Sequence, residues 1–259
     1  NGTDVANMML THAKTLRLHT GNLVNRSRLR KKCPGSPSEE VGLIKIITLM
    51  TYFSVMQGFH DTLDCSIPQV TDAITPEERE EVKVSGLSSL YSGLSYLGCQ
   101  TLAVSQLDSV IIAPTVLPEG DGLTLAHLQP AWEELESLVR SQQIAAIGTS
   151  DLDKDLLEQL YNWAQVKPSS NQVNLASCCV MPPDLTAFAK GFDIQLLTHS
   201  DPKELMSAAT FQQALQEGAQ DLNVTNWRLE WVLRYSIIVK SRGIIKSKGY
   251  LVSARKVNP

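Results

Sequence analysis

From Pro130 onward the chain alternates between two kinds of segment, and this alternation constrains its fold more than any other feature. Trp132-Glu133-Glu134-Leu135-Glu136-Ser137-Leu138-Val139 places apolar residues at i, i+3, i+6 and i+7, the stripe of an amphipathic helix. Ile144-Ala145-Ala146-Ile147-Gly148 is a short uncharged run that suits a strand buried on both faces. A helix over 155–163 follows, with Ser150 or Asp151 offering its N-cap and Lys167-Pro168 closing it. Residues 171–175 form the next strand. Pro182-Pro183-Asp184 opens a helix over 185–190 that Gly191 ends. A strand over 193–198 and a helical stretch over 211–215 come next, and Trp227–Tyr235 leads into a strand over 236–240. Alternation of this kind implies parallel strands joined by helical crossovers. From Asp108 onward it amounts to about five strands, so an eight-stranded barrel needs three more from the first third. There the pattern weakens. Residues 85–106 are rich in Ser, Gly and Leu and suggest only a helix ending near Ser105, and residues 35–67 have no assignable period.

The length of 259 residues matches one α/β barrel, which typically needs about 250. With 43% hydrophobic and 19% charged residues, the chain is too apolar for a disordered one, and a single domain over 1–259 is expected. The formal charge of −4 argues against nucleic acid as a global partner. That average hides an asymmetry. The segment 228–259 carries Arg228, Arg234, Lys240, Arg242, Lys246, Lys248, Arg255 and Lys256 against the single acid Glu230, a net of +7. A second basic run is Arg26, Arg28, Arg30, Lys31 and Lys32. Such runs are either solvated faces or sites for an anion or an acidic partner surface.

The five cysteines are Cys33, Cys65, Cys99, Cys178 and Cys179, an odd number whose spacing fits no disulfide framework. With no apolar leader in the first twenty residues, free thiols in a reducing, cytoplasmic compartment are expected. The vicinal pair Cys178-Cys179 reads as two small residues after a strand, or as a redox-responsive or intersubunit thiol. The most apolar stretch, Val41 to Phe59, contains Lys45 and reads as a buried helix or strand pair rather than a membrane span. No metal is expected, because His12, His19, His60, His127 and His199 show no ligand spacing. The phosphate-cradling GxxxxGK[ST] motif is missing, so ATP chemistry is not expected of this chain.

Several ordered blocks resemble aldo-keto reductases: Trp132-Glu133-x-Leu135, Ile147-Gly148-Thr149-Ser150, Asn171-Gln172-Val173 and Thr198-His199-Ser200. Gln106 to Pro114 is similar to the fourth barrel strand of that family. The resemblance implies a (β/α)8 TIM barrel, irregular in its first third, with its functional face at the strand C-termini. Where the reductases carry the histidine that faces the substrate carbonyl, this chain has Ala113, which can neither donate a hydrogen bond nor give a proton. The family's Asp-x-Ala-x-x-Tyr segment has no match before the fourth strand. Tyr91 and Tyr96 lie outside such a context, and Lys83 alone could fill the barrel lysine position. Losing a proton donor and a carbonyl-orienting group would each cost roughly 10²–10⁴ in rate, so no catalytic residue is expected. The cofactor side is less eroded. By the same resemblance Ser150 and Gln172 match the positions that hold the nicotinamide carboxamide. Asp151 replaces an Asn, and His199 replaces the aromatic that stacks on the ring. Ile238-Val239-Lys240-Ser241 resembles the segment that grips the adenosine 2′-phosphate. The opposing reading is that Ser150 caps a helix and Gln172 satisfies buried backbone. No cofactor is expected, with NADPH the open alternative.

Longer stretches resemble the regulatory (modifier) subunits of glutamate–cysteine ligase. They are 20–23, 28–34, 106–113, 148–163, 171–190 and 239–250, whereas 42–64 and 86–98 depart from that family. This resemblance implies a non-catalytic protein that forms a heterodimer with the catalytic subunit of the ligase. It would raise that subunit's glutamate affinity and weaken feedback inhibition by glutathione. Candidate contacts are Cys178, Cys179, Arg242, Lys246 and Lys248. The rival functions are an NADPH-dependent reductase and a sensor that binds NADPH without chemistry.

Overall fold

The computed structural model of the chain describes residues 8–24, 61–66, 74–89, 104–114, 117, 120–176, 180–218 and 223–258. In chain order the elements are β1 (Thr15–His19), β2 (Thr62–Ser66), α1 (Pro76–Arg79), β3 (Val82–Ser89), β4 (Ser109–Ala113), α2 (Leu125–Arg140), β5 (Ile147–Ser150), α3 (Lys154–Trp163), β6 (Ser170–Asn174), α4 (Pro183–Gly191), β7 (Gln195–His199), α5 (Ala208–Gly218), β8 (Trp227–Val239) and β9 (Ile244–Lys256). They belong to an α/β fold and group into two compact units. One unit holds 74–204 and the other holds 1–73 with 205–259.

The unit of 74–204 is the expected alternation. Strands β3, β4, β5, β6 and β7 pair in that order, every pairing parallel. All four residues of β5 are buried, as suits a strand covered on both faces. Each crossover helix turns an apolar face inward. α2 buries Leu128, Trp132, Leu135 and Leu138, α3 buries Leu156, Leu157 and Leu160, and α4 buries Leu185, Phe188 and Ala189. α4 opens with Pro183 in its first turn and places Asp184 there and Lys190 in its last, which complements the helix dipole. No hydrogen bonds join β7 back to β3, so a closed ring is not formed among the described residues.

Two local expectations are corrected here. The strand placed at 144–148 begins at Ile147. Ile144 instead forms an isolated parallel bridge with Leu107, and Ala145 N–H donates to the Leu107 carbonyl at 2.9 Å. The N-cap of α3 is neither Ser150 nor Asp151 but Asp153, whose carboxylate accepts from Leu156 N–H at 2.8 Å. Asp151 cannot serve because its backbone sits at φ 58°, outside the extended region that an N-cap adopts. Asp153→Ala is therefore expected to destabilise the fold by about 1 kcal/mol, read from the unfolding midpoint in urea, and Asp151→Ala is not expected to act through this helix.

The other unit departs from the alternation. β1 pairs parallel with β2 on one side and antiparallel with β9 on the other, and β8 pairs antiparallel with β9. Among the described residues six strands therefore follow Asp108 where about five were expected, and β8 and β9 form a hairpin instead of a crossover. The physical reason is the turn. Lys240-Ser241-Arg242-Gly243 reverses the chain, Gly243 at φ 62° takes the left-handed conformation, and its N–H donates to the Val239 carbonyl at 2.8 Å. Trp227, Trp231, Tyr235, Tyr250 and Leu16 make up much of this unit's buried apolar interior.

No helix among the described residues is long and apolar enough to cross a membrane. The Val41–Phe59 stretch, the basic run from Arg26 to Lys32, Tyr91, Tyr96, Cys178 and Cys179 lie outside the described residues.

Candidate functional site at the strand ends

Parallel pairing sets the C-termini of β5, β6 and β7 side by side, with Ser150 opposite Gln172 and Asn174 opposite His199. In open α/β sheets this end of the strands is where ligands bind. The polar residues there form one connected network with a buried floor and an exposed rim.

The floor is built on Asn171, which is fully buried. Its Oδ1 accepts from Thr149 Oγ1 at 2.9 Å and its Nδ2 donates to the Leu152 carbonyl at 2.9 Å. A side-chain amide thus replaces the backbone partners that β5 loses as it leaves the sheet, and it pins the loop leading to α3. Beside it, Gln172 Nε2 donates to Ser150 Oγ at 2.9 Å, and Ser150 Oγ donates onward to Asp151 Oδ2 at 3.3 Å. Ser150 and Gln172 are both buried.

The rim is built on Asp151. Its N–H donates to the Gln172 carbonyl at 2.7 Å, and its Oδ1 accepts from Asn174 N–H at 2.8 Å. His199 Nε2 lies 2.9 Å from Asp151 Oδ2 and 3.0 Å from Oδ1. On the other edge of the ring, Nδ1 accepts from Asp201 N–H at 3.2 Å, so the geometry puts the ring proton on Nε2, facing Asp151. Asn174 Nδ2 closes the circuit by donating to the Asp201 carbonyl at 3.0 Å.

The structure therefore brings together four positions singled out in the sequence: Ser150, Asp151, Gln172 and His199. They bond chiefly to one another. The two groups that would hold a carboxamide form a pair, and the residue replacing the stacking aromatic is tied by its edge to Asp151. A nicotinamide would have to break the Gln172–Ser150 bond, and each buried polar group left unmatched would cost about 1–3 kcal/mol. The reading of Ser150 as a helix cap is not met, because Asp153 does that work. Ala113 is the last residue of β4, as the resemblance placed it. Lys83 is exposed on β3. Lys240, Ser241, Arg242 and Lys246 lie in the other unit, exposed on the β8–β9 hairpin, with Lys248 half-buried further along β9. Among the described residues, no cluster of His, Cys, Asp or Glu could hold a metal ion.

Sequence reasoning missed Asn171 as the keystone of the floor, and Asn174 and Asp201 as the outer links. It did mark the two departures, Asn to Asp at 151 and aromatic to His at 199. These are complementary in chemistry, and that complementarity was the signal for their pairing.

No family model matches the chain. A human protein named glutamate–cysteine ligase regulatory subunit is 56% identical over 98% of this chain and 98% of its own length. The mouse protein of the same name is 57% identical over 98% of each. Among solved structures, the aldose reductase of Giardia lamblia is similar over 63% of this chain and 53% of its own, at 20% identity and a TM-score of 0.32, a likeness too slight to argue from. With more than half of its residues shared along nearly the whole of both chains, this chain belongs to the glutamate–cysteine ligase regulatory subunit family.

Proposed function

We propose that the chain is a non-catalytic subunit that forms a heterodimer with the catalytic subunit of glutamate–cysteine ligase, raises that subunit's affinity for glutamate and relieves its feedback inhibition by glutathione. The observation that carries this reading is the 56% identity, over 98% of both chains, to a protein bearing that name. Two local features support it. Ala113 ends β4 with no group able to polarise a carbonyl, and the Ser150–Gln172 pair is engaged with itself. On this reading the run from β3 to β7 derives from a (β/α)8 barrel of the aldo-keto reductase type, and the protein works in the reducing cytoplasm. In physical terms the subunit must bind one conformation of its partner better than another. A tenfold gain in glutamate affinity needs a coupling of about 1.4 kcal/mol, well within the usual range of such effects.

The test is glutamate saturation of the purified catalytic subunit, with and without this chain, at fixed ATP and cysteine. A lower half-saturating glutamate concentration and a higher glutathione concentration for half-inhibition are expected. A complex that forms but leaves both unchanged would overturn the reading.

The rival reading, an NADPH-binding sensor or reductase, draws on Lys240 and Ser241 standing adjacent and exposed on one turn. A fluorescence titration with NADPH separates the two. Saturable quenching that Lys240→Ala abolishes would favour the sensor.

A further inference from the structure

The ring of His199 is gripped at both edges, and one of the two grips depends on its charge. The side chain is 9% exposed, so the protein rather than solvent supplies its hydrogen-bond partners. At one edge, Nε2 lies 2.9 Å and 3.0 Å from the two carboxylate oxygens of Asp151. At the other, Nδ1 accepts from Asp201 N–H at 3.2 Å and lies 3.5 Å from Asp201 Oδ2. The backbone N–H and the carboxylate of one residue thus stand side by side before the same ring nitrogen. Among the described residues, two charged groups face the ring: Asp151 from the loop after β5 and Asp201 from the loop after β7. β6 places the neutral Asn174 opposite His199 in register.

The two partners at Nδ1 require opposite states of that atom. An imidazole nitrogen accepts a hydrogen bond only while it carries no proton, and both nitrogens donate once the ring is charged. The neutral ring with its proton on Nε2 satisfies Asp151 and the Asp201 N–H together. When the ring takes a second proton from water, Nδ1 becomes a donor. It then meets the Asp201 N–H donor to donor, and Asp201 Oδ2 is the acceptor within reach. Asp151 holds the Nε2–H in both states, so the ring stays in place and the change falls on Asp201. That residue is tied to others. Its carbonyl accepts from Asn174 Nδ2 at 3.0 Å, and Asn174 Oδ1 accepts from Ala176 N–H at 2.9 Å. A rotation at Asp201 is therefore transmitted to the turn that follows β6.

We propose that His199 is a proton-operated clasp on the loops after β5, β6 and β7. Above the pH at which the ring changes charge, Nδ1 holds the Asp201 N–H. As the pH falls through that point this bond is lost, the Nδ1–H turns to the Asp201 carboxylate, and Asn174 with the 174–176 turn shifts in response. The loops at the strand ends then have two arrangements, and a proton selects between them. The clasp is built from this chain alone, so it stands or falls independently of the regulatory reading above.

The test is nitrogen-15 NMR of the full chain from about pH 5 to 8, the range in which an ordinary histidine changes charge. The ring nitrogens report the charge of His199. Hydrogen exchange of the Asp201 amide, corrected for its intrinsic pH dependence, reports the bond. One midpoint is expected for both, with the Asp201 amide losing about fivefold or more of its protection below it. The amide signals of Asn174 and Ala176 should move through the same midpoint. His199→Phe should leave the Asp201 amide weakly protected at every pH. His127→Gln serves as the control. His127 Nδ1 also accepts a backbone N–H, that of Thr124 at 3.0 Å, and glutamine keeps a capping side chain there, so protection at Asp201 should match the wild type. If His199→Phe does not fold, the wild-type titration decides alone. A ring that changes charge while the Asp201 amide keeps its protection would overturn the proposal. So would a ring that holds one charge state over the whole range, or a His199→Phe variant with the wild-type pH dependence. Loss of protection throughout β6 and β7 at the same pH would assign the change to unfolding and overturn it as well.

Discussion

Replacing Trp132 with alanine is expected to remove about 3–5 kcal/mol of folding stability, a large part of the 5–15 kcal/mol that holds a typical protein folded. Trp132 lies on α2 and is completely buried. Its indole Nε1–H donates to the Val166 carbonyl at 3.0 Å. One helical turn later, the Glu136 carboxylate, only 3% exposed, accepts from Val166 N–H at 2.8 Å. Two side chains four residues apart therefore grip both polar groups of a single residue in the segment that follows α3. Truncation to alanine opens a cavity and also orphans the Val166 carbonyl, whose own penalty is about 1–3 kcal/mol. Trp132→Phe keeps most of the volume and loses only the bond, so it should cost distinctly less than Trp132→Ala. Urea unfolding of the three proteins checks this. An alanine variant as stable as the phenylalanine variant would mean that the cavity contributes nothing.

The second large effect is expected at Gly249. A Cβ built there would lie 2.5 Å from Tyr235 Oη and 2.6 Å from its Cζ, and closer still to the carbonyl oxygen of Gly21. None of these atoms can yield easily. Tyr235 is 1% exposed and its hydroxyl lies 3.3 Å from His19 Nε2, while the Gly21 carbonyl accepts from Thr20 Oγ1 at 3.0 Å. Thr20 in turn accepts from Tyr250 N–H at 2.8 Å, so the Thr20-Gly21 turn is fixed against β9 from both sides. Gly249→Ala should thus cost about 3 kcal/mol, the upper end for overpacking. Because the clash is shared with one phenol oxygen, Gly249→Ala and Tyr235→Phe should couple, the pair being less destabilised than the sum of the two singles. Thermal unfolding of the four proteins of this cycle checks it, and strict additivity would show that the phenol oxygen is not the obstacle, since Tyr235→Phe leaves the ring carbon and the Gly21 carbonyl in place.

Much of the unit of 74–204 is legible in the sequence because its signals are local. The apolar spacing of Leu156, Leu157 and Leu160, the Pro183-Asp184 opening of α4 and the uncharged run before Ser150 each report their element within a few residues. Boundaries were less legible for a tertiary reason. Ile144 stands apart from the strand in a separate bridge with Leu107, and Asp151 is kept from the capping position by its left-handed backbone, which leaves its carboxylate to His199 and Asn174. The hairpin had a readable signal in the alternation of Trp227, Leu229, Trp231, Leu233 and Tyr235, followed by a glycine four residues past Val239. Expecting a crossover after every strand masked it. At the candidate site, resemblance picked out Ser150 and Gln172 but not what they bond to. Side-chain pairing between two strand ends depends on register, and register is set by the whole sheet rather than by either segment.

The pairing of β1 with β9 has a consequence for how the chain is made. Thr20 and Tyr250 are hydrogen-bonded across a separation of 230 residues, so β1 leaves the ribosome long before its partner β9 exists. The stretch 74–204 is continuous and emerges whole, and domains of this kind fold as units during synthesis. β1 cannot pair along its β9-facing edge until β9 has been made, and an unpaired strand edge is a template for pairing with other chains.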